Sequence, residues 1–442
     1  MARRPFRPER GLLCLCVIAA LLAGCRENGG DRPGSSELLR EAESHVAAGE
    51  YSAAEQLYRQ ALQSLPDDPQ PAMQLARLYR TWGRPEDGLG ALDEAARRGS
   101  PAEEVEPLRL ALLAQSRQWE QVRREAEARL EASPEDGPAL KLLTEALLQQ
   151  GECADAVEIA AHWREAAPDD PDAAKVLGSL TGDSAALCEV DPPACAGLQD
   201  CGDACDLRLG GALVRANAWP LAACVLARAE ASDPSSAEAH AWLGEALART
   251  GRAAEAQKHL EQATLLAPES PLAWLLLGTF YLRQGQNDAA RQALLRAQSL
   301  DPGNPAPCLA VAEVKAQAGR YDEVDAWTEA ALERAPGDVE IWKAVARFYL
   351  ERNLIQGGFP SRAVDGAVNL APNDAEAQLL LGWARLIYGD APGAVFVLNK
   401  ALALDPRLAE AHYLQGVALK AMGEPEKAQA AFVKAADLGY RP

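Results

Sequence analysis

The sequence predicts an all-α solenoid of about eleven helix hairpins stacked in series, with one degenerate unit among them, behind an N-terminal export signal. Three observations predict it. Prolines recur at 134, 168, 234, 268, 302, 336, 372 and 406, most of them 34 residues from the next, and Pro66 precedes Pro134 by twice that interval. A fixed period of this length marks repeats that each form one small supersecondary unit. Hydrophobic residues make up 48% of the chain but aromatics only 5%, which suits helices packed over alanine rather than over large rings. At 442 residues the chain is also too long for one compact core.

The elements follow in order from the N-terminus. Residues 1–24 open with Arg3, Arg4, Arg7 and Arg10 and continue as an apolar run from Gly11 to Gly24. This is the layout of a secretory signal, and fourteen residues are too few for a spanning helix, which needs about twenty. The run ends Leu22-Ala23-Gly24-Cys25, which resembles the lipobox of bacterial lipoproteins. The resemblance implies cleavage before Cys25 and lipidation of its thiol, and Arg26 after it favours the outer membrane by the sorting rule of such proteins. Residues 25–34 continue polar and rich in Gly and Pro, as a flexible tether would. Removal of residues 1–24 takes away four Arg and one Glu, so the formal charge of −20 becomes about −23. A surface this acidic disfavours nucleic acid as a partner.

From Ser35 the repeats can be laid out in one frame. With Pro268 at position 32, the unit 237–270 reads AEAHAWLGEALARTGRAAEAQKHLEQATLLAPES. Leu243, Gly244 and Leu247 take positions 7, 8 and 11, Gly251 takes 15, Ala256 takes 20, and Leu260 and Ala263 take 24 and 27. The next unit puts Trp274, Leu277, Gly278, Tyr281, Gly285, Ala290, Leu294 and Ala297 in the corresponding slots, and Gly49, Tyr51, Ala54, Tyr58, Ala61 and Pro66 match in the first. This pattern resembles the tetratricopeptide repeat, and the resemblance implies a right-handed superhelix of helix hairpins. Small residues at 8, 20 and 27 let backbones approach, larger ones at 4, 7, 11 and 24 fill the space between, and the proline stops the second helix.

The frame starts units at 35, 69, 103 and 137, covering 35–170, and again at 203, 237, 271, 305, 339, 375 and 409, covering 203–442. Units 69–102 and 103–136 match weakly, and the unit from Val339 is two residues too long near LIQGGFP. Residues 171–202 form the degenerate unit. Leu177 and Gly178 still match, but Thr181-Gly182-Asp183 turns early and Asp191-Pro192-Pro193 cuts the second helix short.

Four cysteines, Cys188, Cys195, Cys201 and Cys205, fall at this failure of the repeat. In an oxidising compartment they are read as disulfide staples offsetting the missing helix surface. A redox pair or a metal site remain alternatives. Against them stand a CxxxC spacing in place of CxxC and the lack of paired zinc-ribbon spacing. Cys153, Cys224 and Cys308 make seven cysteines beside Cys25, so at least one is expected to be unpaired, with Cys308 the candidate.

Nothing points to catalysis. His45, His162, His240, His259 and His412 are scattered through the frame, and no GxSxG, HExxH or GxxxxGK occurs. No cofactor or metal is expected. Resemblance to the tetratricopeptide repeat instead implies a concave groove lined by positions 2, 5, 9, 12 and 13 of the first helices. There the sequence places Leu379, Trp383, Leu386, Ile387 and Tyr413 as a candidate partner patch, with Lys343 and Arg347 as a small basic spot. Trp383 is read either as a groove anchor or as packing against the neighbouring unit. The reading is a non-enzymatic scaffold anchored to the outer membrane by lipid alone, facing the periplasm and binding other envelope proteins through the groove. Similar lipoproteins assist pilus, secretion or exopolysaccharide-export assembly. A redox or metal-handling role for the 188–205 cluster and a cell-wall or polysaccharide binder are the alternatives.

Overall fold

A computed structural model describes residues 35–182, 205–354 and 359–440, within which the chain forms 23 helices and no strand. The first helices of the units are α1 Ser35–Ala47, α3 Gln70–Thr81, α5 Ala102–Gln115, α7 Gly137–Gln150, α9 Pro171–Thr181 and α10 Cys205–Arg215. They continue as α12 Ala237–Arg249, α14 Pro271–Arg283, α16 Ala306–Gln317, α18 Val339–Glu351, α20 Ala375–Ile387 and α22 Ala409–Ala421. Among the described residues each except α9 is followed by its second helix: α2 Tyr51–Ser64, α4 Pro85–Arg97, α6 Trp119–Ala132, α8 Cys153–Ala166, α11 Trp219–Ser232 and α13 Ala253–Leu266. The C-terminal second helices are α15 Asn287–Leu300, α17 Tyr321–Arg334, α19 Phe359–Leu370, α21 Ala391–Leu404 and α23 Pro425–Asp437. Packing runs helix to helix along the chain, which makes the molecule an α-solenoid.

Local chemistry sets each helix end. Many first helices start where Asp or Ser stands at frame position 34: Asp136, Asp170, Ser236, Ser270, Asp338 and Asp374 each accept a backbone N–H of the first turn. Second helices stop because the residue before each proline is pushed out of the helical region. Ala267, before Pro268, has φ −132° and ψ 76°. Between the two helices of every complete unit, position 15 is left-handed. Eight units use Gly there, and Arg117, Asn217 and Asn353 fill it in the other three, at φ 58°, 59° and 52°.

Position 8 is where the backbones nearly touch. A Cβ on Gly244, Gly278 or Gly382 would lie 2.6–2.7 Å from the Cγ of Leu260, Leu294 or Leu398 on the paired helix. Alanine fills much of the remaining core, with Ala256, Ala263, Ala290 and Ala297 fully buried.

The repeat breaks after α9. Gly182, at position 12, adopts φ 75° and ends the helix three residues before the usual turn. Beyond the break, α11 packs against α9 and against α7. A disulfide joins Cys153 at the start of α8 to Cys224 in α11, across 71 residues of sequence. It therefore spans the irregular unit from the second helix on one side to the second helix on the other. At the far end of the chain, α23 packs against α2.

Candidate functional site

The groove patch expected in the C-terminal units is largely occupied by the protein itself. Leu379 is fully buried in the core shared by α18, α20 and α21, which corrects its assignment to a solvent-facing wall. Trp383, Leu386 and Ile387 are half-buried and pack on that same core. Tyr413 lies against Tyr440 and Phe432, with ring centroids 4.8 and 5.5 Å away.

Lys343 and Arg347 do not form an open basic spot either. Lys343 is 6% exposed, and its Nζ lies 2.8 Å from Glu340, 3.1 Å from Glu376 and 3.4 Å from Asp374. Burial alone would push this ammonium down, but the hydrogen bonds to Glu340 and Glu376 outweigh it and hold the pKa above the usual lysine value. Arg347 bridges Glu376 of the next unit at 3.1 Å and Glu410 of the one after at 3.2 Å. A sequence frame assigns such residues to groove positions but cannot see that acidic residues at position 2 of the following units reach back to pair with them. An inter-unit pairing with the charges reversed occurs in mid-chain, where Arg283 reaches back to Glu245 of the preceding unit. Glu245 is buried and accepts from Arg249 and Arg283; burial pushes its carboxyl up, but the hydrogen bonds and charges of the two arginines together outweigh that and hold it below the usual range.

A cavity lies at the break. There, α7, α9 and the start of α11 enclose about 230 Å³. Leu148, Val176, Ala218, Pro220, Leu221 and the buried Trp163 give it an apolar lining, and Lys141, Glu145, Gln149, Asp172 and Lys175 ring it with polar groups. Lys141, Glu145, Leu148 and Gln149 occupy groove positions 5, 9, 12 and 13 of the unit from Gly137. Lys141 is held at 2.5 Å by Asp172, its Nζ 5.5 Å from the Trp163 ring centre. Glu145 stands exposed at the rim of this cavity. Desolvation raises its pKa, opposed by Lys141, and no ion pair or hydrogen bond engages its carboxylate among the described residues. The frame carried the α7 residues of this site, but the third wall was hidden, because α11 reaches it only by crossing the irregular unit.

Of the cysteines, Cys25, Cys188, Cys195 and Cys201 lie outside the described residues, and Cys205 is described only as the first residue of α10. The staple assigned to that cluster is therefore untouched by the structure. The disulfide that is present, Cys153–Cys224, joins two residues the sequence left without a partner. Cys308 is buried and unpaired, as expected, and burial pushes its thiol up. Among the described residues no group of three or more His, Cys, Asp or Glu is placed to hold a metal ion, and no helix is long and apolar enough to cross a membrane.

Profiles of the tetratricopeptide repeat match residues 207–256 and 249–305, 45–112 and 281–348, and 409–438, together more than half of the chain. No curated protein matches the sequence. Among solved structures, yeast Tom70 aligns at 15% identity over 92% of each chain with a TM-score of 0.45. The Cut9 and Hcn1 hetero-tetramer of the APC/C aligns at 15% identity over 92% of this chain and 99% of that one, at 0.41. Pseudomonas aeruginosa pilF aligns at 20% identity over 50% of this chain and 98% of its own, at 0.39.

Proposed function

The chain belongs to the tetratricopeptide-repeat family, and from that premise we propose that it is a scaffold tethered to the cell envelope through Cys25, holding an extended segment of another envelope protein in its groove. Protein–protein interaction is the general work of the fold. The particular seat follows from the junction cavity, whose apolar lining takes one side chain of a bound segment while the Glu145 carboxylate meets a neighbouring lysine or arginine. The carrying observation is that Glu145 is unengaged where the groove carboxylates Glu245, Glu376 and Glu410 are paired with arginines of the protein itself. A chain of net charge −20 also favours a basic partner. The Cys153–Cys224 disulfide suits an oxidising compartment, which agrees with export and with a periplasmic position at the outer membrane. Assembly of a pilus, a secretion channel or an exopolysaccharide exporter is the class of work such a scaffold would serve.

Partner capture from detergent-solubilised membranes, with wild type and Glu145→Arg side by side, tests this seat. The reversed charge is expected to abolish recovery of the captured partner while leaving the thermal melt unchanged. Equal recovery by both proteins would remove the cavity from the function. Cys25→Ser in the same cells is expected to release the protein from membranes, since no helix among the described residues could hold it there.

A further inference from the structure

Two helix ends separated by nearly the whole chain are joined by one buried carboxylate. Glu50, which precedes α2, makes no side-chain cap. The cap comes instead from Asp437, the last residue of α23, whose Oδ1 accepts the Ser52 N–H at 2.7 Å and the Ser52 hydroxyl at 2.8 Å. Asp437 is only 4% exposed. Beside it the Trp82 indole N–H donates to the Ala436 carbonyl, and the Ala436 methyl packs against the cluster around Tyr79 and Trp82.

The electrostatics favour this docking. The C-terminal end of a helix carries partial negative charge and the N-terminal end partial positive charge, so α23 meets α2 with opposite ends facing and with a carboxylate at the seam. The topology says what kind of contact it is. Ser52 and Trp82 lie on the edge of the ribbon formed by turns within units, while Asp437 lies on the opposite edge, where a second helix ends. Opposite edges of a wound ribbon meet when one turn of the coil comes to rest on the next.

We propose that Asp437 is a latch that closes the solenoid on itself, and that the chain opens along its coil axis when this contact is released. The contact is smaller than most of the helix packing between neighbouring units, and it centres on one carboxylate and one carbonyl. It holds because both ends belong to one chain, which makes the second encounter intramolecular. Closed, the coil bars a partner from slipping between its turns; open, it admits one sideways into the groove.

The full chain carrying Ser52→Cys and Asp437→Cys, oxidised and mapped by mass spectrometry, is expected to give an intramolecular disulfide cross-link between positions 52 and 437. In the otherwise native chain, Asp437→Ala is expected to raise amide exchange across residues 51–56 about tenfold or more, as loss of a charged hydrogen bond implies, while α12 and α14 keep their protection. Trp82→Phe, which removes only the indole donor, is expected to give a smaller rise in the same segment and guards against a general folding defect in Asp437→Ala. No cross-link, a cross-link only between chains, or exchange at 51–56 indifferent to both substitutions would overturn the latch.

Discussion

Position 15 shows how much of a fold can rest on one dihedral angle. Every complete unit turns there through the left-handed region, whatever residue the sequence supplies. Glycine takes this conformation freely, whereas a residue with a Cβ loses roughly 1–2 kcal/mol, less for asparagine, whose side chain bonds locally. Arg117→Gly is therefore expected to stabilise the hairpin of α5 and α6 by about 0.5–1 kcal/mol, read as increased amide protection in those two helices. Asn217→Gly should give less, and equal gains at both sites would mean that relief of Cβ strain is not the cause. This is one reason why the unit from 103 looks weak in sequence. Its turn geometry is intact although the glycine is missing, and Leu110 at position 8 and Arg129 at position 27 depart from the small-residue pattern as well.

At the scale of elements, a covalent link ties together the helices on either side of the central irregularity. Between α9 and α10 the usual second helix is not among the described elements, and α11 is fixed instead to α8 through Cys153–Cys224. Closing a loop of 71 residues removes enough freedom from the unfolded chain to contribute about 4 kcal/mol in the chain-entropy account. Cys153→Ser with Cys224→Ser is expected to lower stability by about 2–4 kcal/mol, with the loss of amide protection concentrated in α8, α9 and α11. Because α11 supplies one wall of the junction cavity, partner capture should weaken in the same variant. Retained capture with lost protection would place the binding elsewhere. The helices and their register were legible in the sequence, since Pro at 32, a capping Asp or Ser at 34 and a small residue at 8 each act through local geometry. The binding seat was only half legible. Lys141 and Glu145 sit at groove positions in the frame, but Pro220 and Leu221 join them through a tertiary crossing that no period encodes. Leu379 was misassigned because a position number says which way a residue points in an average unit, not how closely the neighbouring helices cover it in this one.

For the whole molecule, stability in a solenoid is a sum of units and of the interfaces between them, so damage should travel only as far as neighbouring units carry it. Gly278 tests this, since a Cβ there would stand 2.7 Å from Leu294 Cγ and 3.1 Å from the Leu294 backbone nitrogen. The Leu294 side chain can rotate away from a methyl group, but the backbone of α15 cannot move without disturbing α16, against which it packs. Gly278→Leu is thus expected to cost roughly 1–3 kcal/mol or more by overpacking. Amide exchange should accelerate from α12 to α17 and fade beyond, leaving α3 to α6 protected. A closed coil adds one departure from this one-dimensional behaviour: if the disturbance reaches α23, it should reappear at α2, skipping everything between. Protection lost evenly along the chain would mean that the units fold as one cooperative block, and loss confined to α14 and α15 would mean that the interfaces couple more weakly than their shared core implies.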